Sequence, residues 1–175
     1  SEADVITQVV RCFEHADIVH VSGRLDPISD IETIDTELAL ADLESVEKAL
    51  NRYERAAKAG DKDAAARRDV LVRVRAQLNE GHPARALDLS ADDKSLLREL
   101  FLLTLKPVLY VANVREDGFK DNPHLDRVRE RAQAEGAEVV PVCAAIEEEL
   151  AQLEESDKGA FLADMGLDEP GLNRL

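Results

Sequence analysis

Lys106-Pro107-Val108-Leu109-Tyr110-Val111-Ala112-Asn113-Val114-Arg115-Glu116 is the stretch whose reading decides the fold. An apolar, β-branched run after a proline reads as a buried strand, and it ends in Asn113 with an acid, Glu116, three residues later. Further on, Val139-Val140-Pro141-Val142-Cys143-Ala144-Ala145 repeats the theme, a second buried strand running into a small-residue loop. Between the two, Asn122 is placed to cap a helix with Pro123 at its first position, and Gly136 to end it. Strand, helix and strand in that order predict a βαβ unit: two parallel strands joined by a right-handed crossover.

Upstream, Val5 to Phe13 and Ile18 to Val21 read as further short strands, with Gly23 and Asp26-Pro27 as the exit. The period then becomes helical. From about Ile31 to Ala59, the residues Ala39, Leu43, Val46, Leu50, Tyr53 and Ala57 alternate four and three apart, a narrow heptad seam that Gly60 should stop. A second helix, Lys62 to Asn79, carries Leu71, Val74 and Leu78 and stops at Gly81. With only Gly60 and Asp61 between them, the two helices should fold back as an antiparallel hairpin. Ser90 with Asp93 resembles a capping box opening a helix to about Leu103. Beyond the second βαβ strand, helices are expected over Ile146 to Glu154 and Asp157 to Asp164.

Of 175 residues, 45% are hydrophobic and 34% charged, an ordinary globular mix long enough for one good core. No run approaches the roughly eighteen apolar residues of a membrane span, and residues 1–20 hold no signal-like pattern, so the reading is a cytoplasmic protein with no membrane partner. Cys12 and Cys143 lie in apolar runs without ligand spacing and read as small buried thiols. His15, His20, His82 and His124 show no ligand or triad spacing, and Glu147-Glu148-Glu149 reads as a solvated helix face.

The net charge of −15 argues against general nucleic-acid affinity, but it is unevenly spread. Residues 1–47 sum to −10, residues 48–85 to +5 and residues 86–175 to −10. The basic segment is the hairpin, with Lys58, Lys62, Arg67 and Arg68 in its turn region and Arg52 and Arg55 along the arms. Taken alone, such residues describe a solvated helix face; on an acidic body they also offer a contact for phosphates of RNA.

A strand that ends in Asn-x-x-acid is where a nucleotide-binding α/β domain carries the residues that read a base, although an Asn at a strand end is by itself an ordinary turn former. The side-chain amide of Asn113 can accept from adenine N6 and donate to N7. A carboxylate such as Glu116 gains nothing from adenine, whose N1 is itself an acceptor. No stretch of the chain reads Gly-x-x-x-x-Gly-Lys followed by Ser or Thr, so it holds no phosphate loop.

Five strings carry a family resemblance along the whole chain: Val9-Val10-Arg11-Cys12-Phe13-Glu14, the run 35–43, the run 113–119, Val140-Pro141-Val142-Cys143-Ala144-Ala145-Ile146-Glu147, and the run 169–175. They closely resemble the YchF or Obg-like ATPase family. That resemblance implies a partial doubly wound α/β sheet of a P-loop NTPase (G domain) with an inserted antiparallel α-helical coiled-coil hairpin. Residues 1–29 would be the first G-domain part, 30–104 the helical insertion and 105–175 the second part with the base-reading loops. It implies a segment of a longer chain, without the P-loop, the switch segments or the TGS domain. It further implies ATP or GTP as ligand, with Mg²⁺ in the parent but no ligands for it here, and the ribosome or rRNA as a partner. The base contacts fall on Asn113, on the backbone at Val114, which stands where guanine-specific relatives carry lysine, on Glu116, and on the loop Cys143, Ala144, Ala145. Two other functions fit the residues: a coiled-coil interaction module, or a regulator that has the fold without a phosphate site.

Overall fold

The computed structural model describes residues 5–14 and 25–143. The order is β1 (Ile6–Arg11), α1 (Pro27–Lys58), α2 (Lys62–Asn79), α3 (Ala91–Leu97), β2 (Val108–Asn113), α4 (Pro123–Glu135) and β3 (Glu138–Val142), with three short 3₁₀ turns between α2 and β2. They form two compact units, one of residues 5–6 and 32–107, the other of residues 7–14, 25–31 and 108–143. The expected strand Ile18 to Val21 and the helices after residue 145 lie outside the described residues.

The first unit is the helical hairpin and its return path. The predicted seam is buried: Val46 and Val74 are fully enclosed, with Ala39, Leu50, Leu71 and Leu78 around them and Leu43 and Tyr53 packed at the margin. Each fully buried Val or Leu side chain contributes about 1.5–3 kcal/mol when taken out of water. The turn is written locally. Gly60 takes φ +97°, open to glycine at little cost, and the Asp61 carboxylate accepts from the Ala64 amide as the N-cap of α2. Arg75 Nη1 lies 3.7 Å from Glu47 Oε2, which pairs the arms antiparallel.

Ser90 opens α3 with a complete capping box, but the helix stops at Leu97 and not near Leu103. A 3₁₀ turn follows, and Phe101 swings to the left-handed φ of 50°. The cause is distant in sequence: the Asp42 carboxylate on α1 accepts from the Leu103 amide at 2.8 Å and the Thr104 amide at 2.7 Å, so these donors leave the helix pattern. Thr104 Oγ1 in turn accepts from the Ala84 amide, and Arg85 donates to the Thr104 carbonyl.

The second unit is the sheet, in the order β1-β2-β3. β2 and β3 are parallel, with Tyr110 opposite Val139 and Asn113 opposite Val142, as the βαβ reading requires. The Ile6 amide donates to the Pro107 carbonyl and the Cys12 amide to the Asn113 carbonyl; both strands advance by the same six residues, so β1 is parallel to β2 as well. α4 begins at the predicted Asn122 cap and ends at Gly136, φ 72°, burying Leu125, Val128 and Ala132. Tyr110 is fully buried in β2, and its hydroxyl donates to Glu135 on α4 at 2.7 Å.

Candidate nucleotide-base site

The carboxyl ends of parallel strands are where open α/β sheets bind ligands, because side chains and loop amides converge there. At this edge Asn113 is the last residue of β2 and half-buried. Its backbone is held from both neighbouring strands: its carbonyl accepts from the Cys12 amide at 2.8 Å, and the next amide, Val114, donates to the Val142 carbonyl at 2.8 Å. Val114 is buried, and its N–H is committed to the Val142 carbonyl. The parallel register sets buried Cys143 beside this corner, and Glu116 stands exposed on the loop that follows β2. Asn113, Val114 and Cys143 are thus brought together; Ala144 and Ala145 lie outside the described residues.

The loop from Val114 to Asn122 is compact. The Gly118 amide closes a turn on the Arg115 carbonyl at 2.8 Å. A side chain on Gly118 would sit 3.2 Å from Val114 Cβ and from the Arg115 amide, so close approach requires the glycine. Between this loop and the β1 exit lies a cleft of about 430 Å³, lined by Cys12, Phe13 and Glu14 on one side and by residues such as Arg115, Asn122 and His124 on the other. The Arg115 guanidinium lies 5.7 Å from the centre of the Phe13 ring and donates to the Glu14 carbonyl. His124 Nε2 is 4.0 Å from a Glu14 carboxylate oxygen. Burial pushes the Cys12 thiol up to about 11, so Cys12 enters the cleft wall as a neutral, unreactive group. Of the cleft residues, Phe13 and Arg115 lie within strings that carry the family resemblance, and Asn122 is the cap that its neighbours predict, but nothing adjacent to any of the three in sequence marks it as part of a site.

Among the described residues, no group of three or more His, Cys, Asp or Glu side chains is arranged to hold a metal ion. No helix among them is long and apolar enough to cross a membrane.

The basic residues of the hairpin divide in two. Arg67 turns inward, donating to the Leu96 carbonyl at 3.1 Å and pairing with Glu99 at 2.9 Å, with Tyr53 beneath it. Tyr53 hydrogen-bonds the same Glu99, Arg52 leans on the Tyr53 ring, and Arg68 pairs with its neighbour Asp69. Arg55, Lys58 and Lys62, around the turn, are exposed, and among the described residues none of the three is in an ion pair.

A parallel βαβ corner with a helical hairpin in the same chain is consistent with part of a P-loop NTPase fold. No family model matches the chain. The ribosome-binding ATPase YchF of Escherichia coli O157:H7 is 53% identical over 174 residues, 99% of this chain and 48% of the relative. The protein of that name from Bacillus subtilis is 45% identical over 177 residues, again 99% of this chain and 48% of the relative. The solved structure of the Schizosaccharomyces pombe YchF GTPase superposes with a TM-score of 0.80 at 31% identity, covering 95% of this chain and 47% of that one. The chain is homologous to the YchF proteins along its whole length, and it spans about half the length of the relatives it matches.

Proposed function

We propose that this chain is the base-reading and partner-contacting part of a YchF-type P-loop nucleoside triphosphatase of the cytoplasm, which binds and hydrolyses ATP and accepts GTP. In this reading residues 30–104 are the helical insertion and residues 1–29 and 105–175 the two G-domain parts. The observation that carries it is Asn113, set at the carboxyl edge of β2 and fixed through its backbone from both flanking strands. An amide at this position can accept from adenine N6 and donate to N7, a pairing that distinguishes adenine from guanine by about 1–3 kcal/mol. The carbonyl of Val114 and the loop starting at Cys143 would complete the base edge, with Glu116 at its rim. Phosphoryl transfer itself depends on a phosphate loop and the Mg²⁺ held with it, and the sequence contains no Gly-x-x-x-x-Gly-Lys-Ser/Thr stretch; the part proposed for this chain is to orient the base.

The test is Asn113→Ala in the protein expressed from its complete reading frame. ATP affinity should fall about tenfold with the fold intact, as loss of one bidentate contact requires. Unchanged affinity would remove the base-reading role and favour an interaction module or a regulator without a phosphate site.

Relatives named as ribosome-binding suggest a ribosomal partner for the hairpin. The exposed group Arg55, Lys58 and Lys62 suits that contact better than Arg67, whose guanidinium is engaged within the fold. A positive turn on an acidic protein would approach RNA phosphates end-on, and the binding would weaken with salt.

A further inference from the structure

The geometry points to Asn122 as a positioning residue for the base-reading loop. This inference rests on the base-reading function proposed above. The Asn122 side chain is a four-way junction. Its Oδ1 accepts from the His124 amide at 3.1 Å and the Leu125 amide at 3.2 Å, the ordinary work of an N-cap. Its Nδ2 donates to the Cys12 carbonyl at 2.9 Å and to the Gly118 carbonyl at 3.1 Å, which an N-cap does not need.

Those two donated bonds close a circuit around Asn113. Cys12 uses its amide to hold the Asn113 carbonyl and its own carbonyl to receive Asn122. Gly118, also held by Asn122, folds back on Arg115 and packs against Val114. One side chain therefore joins the β1 exit, the loop after β2 and the start of α4, and fixes where the loop places the polar groups of Asn113 and Val114. The orientation of the amide is dictated, since its oxygen must face two N–H groups and its nitrogen two carbonyls.

Capping and clamping separate chemically. Asn122→Asp retains a cap oxygen, for which Asp and Asn are equivalent, but presents an acceptor to the carbonyls of Cys12 and Gly118. In the protein from its complete reading frame, Asn122→Asp should raise KM and Kd for ATP on the order of tenfold with kcat unchanged. The ratio of ATP to GTP affinity should fall, while affinity for inorganic tripolyphosphate stays as in the parent. Asn122→Ser, which also caps but cannot reach both carbonyls, should behave alike and carries the test if the aspartate variant does not fold. Unchanged ATP affinity in both Asn122 variants, beside weakened binding in Asn113→Ala, overturns the positioning role and leaves the base-reading function standing. Unchanged affinity in Asn113→Ala as well overturns both. A loss of tripolyphosphate binding equal to the loss of ATP binding also overturns it, because the defect would then be global.

Discussion

The Thr104 amide donates to the carboxylate of Asp42 at 2.7 Å across 62 residues of sequence, and both residues are almost wholly buried. This bond and its companion from Leu103 fasten the segment leaving α3 to the middle of α1. A buried carboxylate is costly unless its oxygens are satisfied, and here each oxygen accepts from a backbone N–H that would otherwise be orphaned.

Asp42→Ala strips both amides of their acceptor. Two buried or part-buried donors left without partners should cost about 3 kcal/mol, and Asp42→Asn, which retains one acceptor, about half that. Urea unfolding of the variants should show a lower midpoint with an unchanged slope; a midpoint equal to the parent's would mean that water replaces the carboxylate.

The same contact shows where sequence reading stops. The bounds of α2 were legible because both ends are marked by neighbours: Asp61 caps Ala64, and Gly81 takes φ 80°. The heptad seam was legible because burial follows period. The end of α3 was not, since nothing near Leu97 announces that Leu103 and Thr104 will be drawn to Asp42. The site divides likewise. Asn113 at a strand end and Asn122 as a cap can be read from adjacent residues, whereas the bond from Asn122 to Cys12 spans 110 residues. The basic hairpin could be counted from sequence, but which charges face inward depends on Tyr53 and Glu99 meeting Arg67.

That inward turn gives opposite expectations for two sets of basic residues. Arg67→Ala should lower stability by about 1 kcal/mol, through lost packing on Tyr53 and a lost bond to the part-buried Leu96 carbonyl. Triple replacement of Arg55, Lys58 and Lys62 by glutamate should move stability by no more than about 0.5 kcal/mol. Co-sedimentation with ribosomes should fall for the triple variant, most visibly at low salt. Equal pelleting of the triple variant and the parent would reject the hairpin turn as the contact.

Cys12 makes a prediction about alkaline pH. Its thiol titrates near 9.0 when unperturbed and is pushed up to about 11 by burial, so the folded protein holds this proton more tightly than the unfolded chain. The resulting stabilisation is complete below pH 9, declines as pH rises above that value, and is gone beyond about 11. Cys12→Ala should flatten this part of the stability profile while lowering its overall level, because a buried side chain is shortened. In the native protein at pH 8 the thiol should react with an aromatic disulfide reagent only at the rate of unfolding.

Gly118 carries a steric prediction that bears on the loop itself. Its φ lies outside the left-handed region, so backbone strain is not what requires glycine; crowding is, with Val114 Cβ and the Arg115 amide each 3.2 Å from where a Cβ would stand. Val114 is buried with its amide tied to Val142, so it cannot retreat freely, and the loop must move instead. Gly118→Ala should cost about 1–2 kcal/mol, the usual penalty of an extra methyl in a packed place. Because Gly118 also receives Asn122, the same change should loosen the clamp and raise Kd for ATP in the protein from its complete reading frame. Gly136→Ala serves as the comparison: its φ of 72° imposes strain, but nothing lies within 4 Å of its added methyl and it stands at the far end of α4. It should therefore lose stability by about 1 kcal/mol and leave ATP affinity unaltered. Equal ATP affinity in the two variants would show that the loop tolerates the displacement and that the close packing of Gly118 on Val114 is structural alone.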